Sequence, residues 1–193
     1  MYKVAICGKA NSGKNTVSKL ILKELRNKQT GVLCEYIAFA DPIKAMIRLM
    51  FPELPEKYLT GPSQYRAEPI PGAFKDGVPL TVRQLLIDLG TGVGRAVKET
   101  IWLDAFDHAF QRFQYKTIVV VTDVRFRNEF DHLKKLGFYQ IRLLRDSHLK
   151  IDHASETNQD TIQDDEFDYV LHNNGTLKDL KNEVKKIVGQ IRP

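Results

Sequence analysis

Two cysteines in 193 residues, Cys7 and Cys34, are too few for the disulfide framework of a small secreted domain. Both stand in apolar runs that read as strands, as buried free thiols of a cytosolic protein. No stretch approaches the ~20 consecutive apolar residues of a membrane span, and MYKVAICG enters a strand at once, leaving no room for a signal peptide. Internal repeats, low-complexity tracts and linkers between independent domains are missing as well. The formal net charge is +5, yet no run of like charge marks a nucleic-acid tail. Such an excess suits an anionic partner, which phosphorylated small molecules supply as well as nucleic acid does. Proline is scarce outside one window, since six of eight lie between 52 and 79. With 42% hydrophobic and 27% charged residues, the remainder reads as one soluble domain with a sizeable core and an insert.

What is present begins at the N-terminus. Lys3 to Cys7 is a short apolar run bounded by Gly8, and a helical pattern with Val17, Leu20, Ile21 and Leu25 on one face follows. Between them lies Gly8-x4-Gly13-Lys14. Strand, glycine-punctuated loop and helix N-terminus are the setting that a phosphate-binding loop requires. Its glycines let successive backbone N–H groups turn toward phosphate oxygens, the helix end adds partial positive charge, and Lys14 adds a full one. The hydroxyl falls one place late: Asn15 follows the lysine, and Thr16 comes next.

Further along, Leu33 to Phe39 is a second strand, ending at Ala40-Asp41-Pro42. A carboxylate there sits where open α/β sheets bind ligands; Asp41 either contacts metal or acceptor or caps the helix that Pro42 starts. Lys44 is a surface lysine unless that helix start faces the site. The proline-rich stretch 52–79 predicts irregular chain, either a binding lid or a surface loop. Within it, Tyr58, Tyr65 and Arg66 can stack on a base and grip phosphate. A helix from Leu80-Thr81 has Val82, Leu85, Leu86 and Leu89 on its core face, with Arg83 and Gln84 off that stripe, and it stops at Gly90 to Gly94. The sole tryptophan, Trp102, is on the next helix and by residue type belongs in a core. Lys116 to Val121 is the purest strand, buried on both faces. It ends at Thr122-Asp123, where a carboxylate can hold the shell of a Mg²⁺ ion or simply cap the strand. One of Arg125 and Arg127 would face phosphate, and Arg125 is nearer. Tyr139 to Leu144 is a strand ending at Arg145-Asp146. A polar stretch follows, with His148, Lys150 and His153-Ala-Ser155-Glu156. A last strand, Tyr169 to Leu171, leads through Asn173-Asn174-Gly175 to a helix with Leu177, Leu180, Val184, Ile187 and Val188 inward. Five strands alternating with helices predict an α/β fold: a parallel sheet covered on both faces.

Taken together, GKANSGKNT (Gly8–Thr16), FADPIK (Phe39–Lys44), VRQLLIDLGT (Val82–Thr91) with Trp102, TDVR (Thr122–Arg125) with Glu129, His153–Glu156, and NNGTLKDL (Asn173–Leu180) resemble the phage-type deoxynucleoside monophosphate kinases, within the P-loop nucleoside monophosphate kinases. The resemblance covers the whole chain. It implies a doubly wound sheet of adenylate-kinase type in one domain, 1–193, with an acceptor-binding insert at 52–79 and a lid at 146–160. ATP and Mg²⁺ would be cofactors, and a dNMP would accept the phosphoryl group. Gly8, Asn11, Ser12, Gly13, Lys14, Asn15 and Thr16, with Arg145, Asn174 and Gly175, would bind ATP; Thr16 and Asp123 would hold Mg²⁺, partly through water. Asp41, Lys44, Arg66, Arg83, Gln84, Gly90, Thr91, Trp102 and Arg125 would bind the acceptor. Lys14, Arg83, Asp123 and Arg125 would carry the catalysis. Relatives commonly place Asp where this chain has Asn15, which puts a metal or base role there in doubt. The resemblance further implies a cytoplasmic enzyme (host cytoplasm if phage-encoded), no membrane or nucleic-acid partner, and an oligomeric state for which a homodimer is open. Competing readings are a P-loop kinase for phosphomevalonate or dephospho-coenzyme A, and a nucleotide-binding regulator without catalysis.

Overall fold

In a computed structural model that describes residues 1–113, 116–146 and 158–193, the apolar run Tyr2–Cys7 becomes strand β1, buried from Val4 onward. Gly13, at a φ of 101°, hands the chain to helix α1 (Lys14–Lys28), and strand β2 (Leu33–Tyr36) follows. Next come helices α2 (Asp41–Met50) and α3 (Lys57–Thr60), a 3-10 turn at Ser63–Ala67, strands β3 (Pro69–Lys75) and β4 (Val78–Thr81), and helix α4 (Val82–Ile87). Helices α5 (Arg95–Val97) and α6 (Ile101–Phe110) lead to strand β5 (Thr117–Val124), helix α7 (Arg127–Lys135), strand β6 (Tyr139–Leu144), strand β7 (Tyr169–His172) and helix α8 (Leu177–Gln190). The chain divides into two compact units, residues 1–38 with 108–193, and residues 39–107.

The first unit is a five-stranded parallel sheet in the order β2-β5-β1-β6-β7. Alternation along the strands sorts side chains between its two faces. Val4, Ile6, Ile118, Val120, Ile141 and Leu143 meet Val17, Ile21 and Leu25 of α1 and Leu180, Val184 and Ile187 of α8. Helix α7 covers the opposite face through Phe130 and Leu133, both fully buried. This is the α/β layering that the alternation of elements predicts. Strand β2 is shorter than its apolar run, and Cys34 is half-buried rather than buried. Leu177 is 55% exposed, because the first helical residue after the cap Thr176 lies ahead of the inward stripe.

In the second unit the proline-rich stretch is more ordered than its composition predicts. It holds α3, the 3-10 turn and an antiparallel hairpin of β3 and β4. Asp76 and Gly77 have φ of 52° and 79°, the pair of left-handed residues that a tight hairpin turn demands. Prolines fit because each strand of a two-stranded ribbon keeps a free edge, so a missing N–H need not break the ladder. The glycine-rich segment also differs from expectation: the helix does not stop at Gly90. It widens into a π-helical stretch, Asp88–Gly94, and runs on into α5. Leu85, Leu86 and Leu89 are half-buried, and of the expected stripe Val82 alone is buried.

Trp102 explains one of these glycines. Its ring is 6% exposed, and its Nε1–H donates to the Gly90 carbonyl at 2.7 Å. A Cβ on Gly94 would stand 2.1 Å from Trp102 Cζ2, whereas one on Gly92 would meet nothing within 4 Å. Gly94→Ala should therefore overpack the unit and cost about 1–3 kcal/mol or more, while Gly92→Ala should be neutral or mildly stabilising. Urea unfolding midpoints of the two variants check this; equal midpoints would remove the packing role given to Gly94.

Candidate active site

Position in the sheet decides what can meet. β1 is central, so the loop that leaves its C-terminal end emerges between the ends of β5 and β6, the rim at which open α/β sheets bind ligands. Gly8 is obligatory there, since a Cβ would lie 2.7 Å from the Leu143 carbonyl of β6. Asn11, at φ 60°, is a non-glycine residue in the left-handed region. Helix α1 has no side-chain cap on Gly13 and no acidic residue in its first turn, which leaves N–H groups and the positive dipole end for an anion. Lys14 Nζ folds back onto the carbonyls of Gly8 and, at 2.8 Å, Lys9. Asn15 and Thr16 are exposed on the first turn of α1. Ser12 is 3% exposed, and its buried hydroxyl has no partner among the described residues.

Asp123 lies beside this loop for a structural reason. The β1–β5 register runs Ala5 to Val121 and then Cys7 to Val124, so Thr122 and Asp123 together oppose one residue, Ile6. Such a bulge bends the strand and re-aims a side chain. The turn that follows is pinned by Glu129, 3% exposed, whose Oε2 accepts N–H bonds from Arg125 at 2.8 Å and Phe126 at 3.1 Å. Arg125 is half-buried at the strand exit. Arg127, by contrast, is committed to Asp131 and Glu166 and turns away on α7. Arg125 is thus the one of the two at the strand end.

On the other side of the loop, Asn173 was not among the expected site residues. Its Nδ2 donates to the Ser12 carbonyl at 2.8 Å and fills the space where a side chain at Gly13 would be. Asn174 exchanges two hydrogen bonds with Asp146, each 2.9 Å, which ties the Asn-Asn-Gly turn to the end of β6. Gly175 and Arg145 are exposed on the same rim. Arg145, Gly8 and Ser12 border a cavity of about 50 Å³ with Arg142 and Gln159. Cys7, also on its wall, donates weakly to Gln159 Oε1, and burial pushes its thiol up to about 11 despite Arg142 and Lys14. At neutral pH it adds no negative charge beside a phosphate. Lys9 bridges to Asp160 at 3.0 Å. The lid expected at 146–160, with His148, Lys150 and His153–Glu156, lies mostly outside the described residues.

The second unit holds the remaining expected residues. Asp41 is not a cap: Ala40 precedes the helix, and Asp41 opens its first turn with Pro42, accepting from Lys44 Nζ at 3.0 Å. Lys44 is mostly covered, its side chain 18% exposed, instead of a surface lysine. Arg66 Nη2 reaches the carbonyls of Leu59 and Gly61, and Arg83 Nη2 reaches that of Ser63 at 3.2 Å. Both guanidiniums therefore brace the same short stretch after α3. Tyr58 and Tyr65 pack near each other, with Lys57 Nζ over both rings. Gln84 is drawn to Asp88 at 2.8 Å, where Lys75 also binds. Thr91 is half-buried within the π-helical stretch and Gly90 is buried. Trp102 is in the core, as its residue type predicts, and stands as a support under that stretch with its ring enclosed and its N–H used.

Among the described residues no group of three or more His, Cys, Asp or Glu could hold a metal by itself, and no helix is long and apolar enough to cross a membrane.

Comparison with known proteins agrees with this arrangement. The chain is similar over 197 aligned residues, at 28% identity, to a protein of Acanthamoeba polyphaga mimivirus named "Putative deoxynucleotide monophosphate kinase". That alignment spans 95% of this chain and 94% of the viral one. The family described as deoxynucleotide monophosphate kinase matches residues 70–184. Its match starts after the phosphate loop, so the loop geometry and the match are separate observations. They converge: the chain belongs to the deoxynucleotide monophosphate kinase family.

Proposed function

We propose that the chain transfers the γ-phosphoryl group of ATP to the 5′-phosphate of a deoxynucleoside monophosphate, giving ADP and a dNDP. The observation that supports this reading best is the uncapped start of α1, with Lys14 folded over its own loop, next to the bulge that carries Asp123. An incoming triphosphate offers Lys14 better acceptors than the Gly8 and Lys9 carbonyls, since charge-assisted hydrogen bonds are roughly twice as strong as neutral ones. The acceptor is itself an anionic nucleophile, so no strong general base is needed. Catalysis is then positioning and charge neutralisation.

In this reading Lys14 and the loop amides hold the β- and γ-phosphates, and Arg125 neutralises the moving group. Arg145 and the Asn174–Gly175 turn border the ATP. Asp123 and Thr16 suit Mg²⁺, which takes one or two protein oxygens and completes its shell with phosphate and water. When bound, the ion neutralises charge developing between the β- and γ-phosphates. Arg83 grips the acceptor phosphate, assisted by Lys44 and Arg66; the Gly90–Thr91 backbone, supported by Trp102, lines the acceptor pocket. The whole chain acts as one kinase, with acceptor binding in 52–79 and a lid at 146–160.

Lys14→Ala should abolish turnover while leaving the thermal unfolding curve in place, because Lys14 Nζ reaches carbonyls of its own loop and is not part of the apolar core. Near-normal activity in a coupled ADP-release assay would end the phosphate-loop assignment. Arg83→Ala should raise the KM for dNMP by roughly 10- to 150-fold, the equivalent of a charge-assisted contact, and spare the KM for ATP. Equal changes in both constants would place the acceptor elsewhere. Asn173→Ala should weaken ADP binding by roughly 2- to 10-fold through loss of one hydrogen bond to the loop. Asn173→Asp should weaken it more, since the donor becomes an anion beside phosphate; calorimetric titration of both variants distinguishes this from a role in folding alone.

A further inference from the structure

Away from the rim, α1 and β2 enclose a groove that the phosphoryl-transfer chemistry does not use. Its volume is about 710 Å³, within the range of small-molecule sites. Lys19, Lys23 and Arg26 stand along one edge of α1 at spacings of four and three, so they line up on the same side. All three are exposed, none has an acidic partner in the described structure, and no carboxylate lines the groove. Glu24, next to Lys23 on α1, does not line the groove, and Glu35 alternates to the other face of β2. Three unpaired cations with an open field between them favour a polyanion.

The floor is of a different kind. Leu22, Cys34 and the Tyr36 ring form it. Tyr36 is 49% exposed, which is high for a tyrosine on a sheet, yet its hydroxyl is fixed at 3.2 Å from Ser18 Oγ. The ring is thus held in place with a face open to ligand. A flat apolar body beside a row of three cations matches a base joined to a phosphate chain. It matches a bare phosphate chain less well, because that would leave the floor uncovered. A second copy of this chain, docked about a two-fold axis, would set the lysines against one another.

We propose that the α1–β2 groove is a second, non-catalytic site for a nucleoside triphosphate. Phosphates lie along Lys19, Lys23 and Arg26, and the base rests on Tyr36. Ser18 Oγ also donates to the Asn15 carbonyl at 3.0 Å, so the groove is two hydrogen bonds from the first turn of α1. An occupant that moves Tyr36 is felt at the phosphate loop. The proposal stands apart from the catalytic reading, because the test is run with the catalytic site filled.

The test uses equilibrium binding of labelled dTTP to the full chain with a saturating bisubstrate analogue, a deoxynucleoside joined to adenosine by a phosphate chain. One further equivalent of dTTP should bind. Lys23→Glu with Arg26→Glu should weaken that binding more than tenfold and leave turnover at low nucleotide concentration unchanged. Inorganic tripolyphosphate should compete weakly, and thymidine not at all. Absence of the extra equivalent would overturn the proposal, as would tripolyphosphate that binds as well as dTTP. Sedimentation of wild type and the double variant closes the remaining route: a dimer lost on charge reversal, without dTTP binding, makes the groove an interface and overturns it too.

Discussion

Two glycines at the centre of the first unit are approached so closely that neither has room for a side chain: Gly8 by a backbone carbonyl and Gly13 by the end of a side chain. Gly8 lies against the Leu143 carbonyl, and Gly13 lies against the Asn173 amide. Those two approaches, one at each end of the loop, hold it between β6 and the turn after β7. Everything attributed to phosphate binding depends on that closeness: the α1 start is directed inward, Lys14 closes over the loop, and Asn173 supports the Ser12 carbonyl from outside. A loop braced at both ends needs little reorganisation when phosphate arrives, which is what electrostatic preorganisation requires.

The second unit solves a comparable problem by other means. A helix must pass a tryptophan ring, and over Asp88–Gly94 it widens into π-helical geometry and has no side chain at Gly94, where the ring lies. π-helical stretches are rare and are frequent at functional sites. Here the widened stretch carries Thr91, while Asp88 at its start gathers Lys75 from the hairpin and Gln84 from α4. The hairpin and the stretch are therefore tied by a charged contact that is partly exposed and worth little by itself. Packing on Trp102 is the stronger tie.

Much of this could be read from the residues. Helix α1 runs Lys14–Lys28 and β6 runs Tyr139–Leu144, as periodicity places them, because both are long or strongly apolar and lie in the main core. The five-stranded parallel sheet follows from alternation of elements. The hairpin at Pro69–Thr81 was hidden by its prolines, although Asp76-Gly77 is a hairpin signal in its own right. Gly90 to Gly94 looked like a terminator because glycine usually is one; the ring that needs the space at Gly94, and that donates to the Gly90 carbonyl, lies on the next helix and cannot be inferred from local pattern. The contact of Asn173 was not legible, although the motif that begins with it was, since its amide donates to the Ser12 carbonyl across 161 residues and fills the space over Gly13. That Arg127 pairs with Asp131 and Glu166 was not legible either, since Glu166 is 39 residues away.

The bulge in β5 has an effect on what length changes the chain can absorb. Ile6 belongs to the apolar layer under α1 and α8, and in a regular parallel ladder its partner points to the same layer. Loss of a single residue at position 122 would straighten the ladder and set Asp123 opposite Ile6, driving a carboxylate into hydrocarbon. Gain of one would rotate the strand exit by half a turn of the pleat, carrying Arg125 across the sheet. Surface loops accept insertions cheaply, but this one strand end has a fixed count. A change of length within Val121–Val124 would therefore cost more than one in a surface loop.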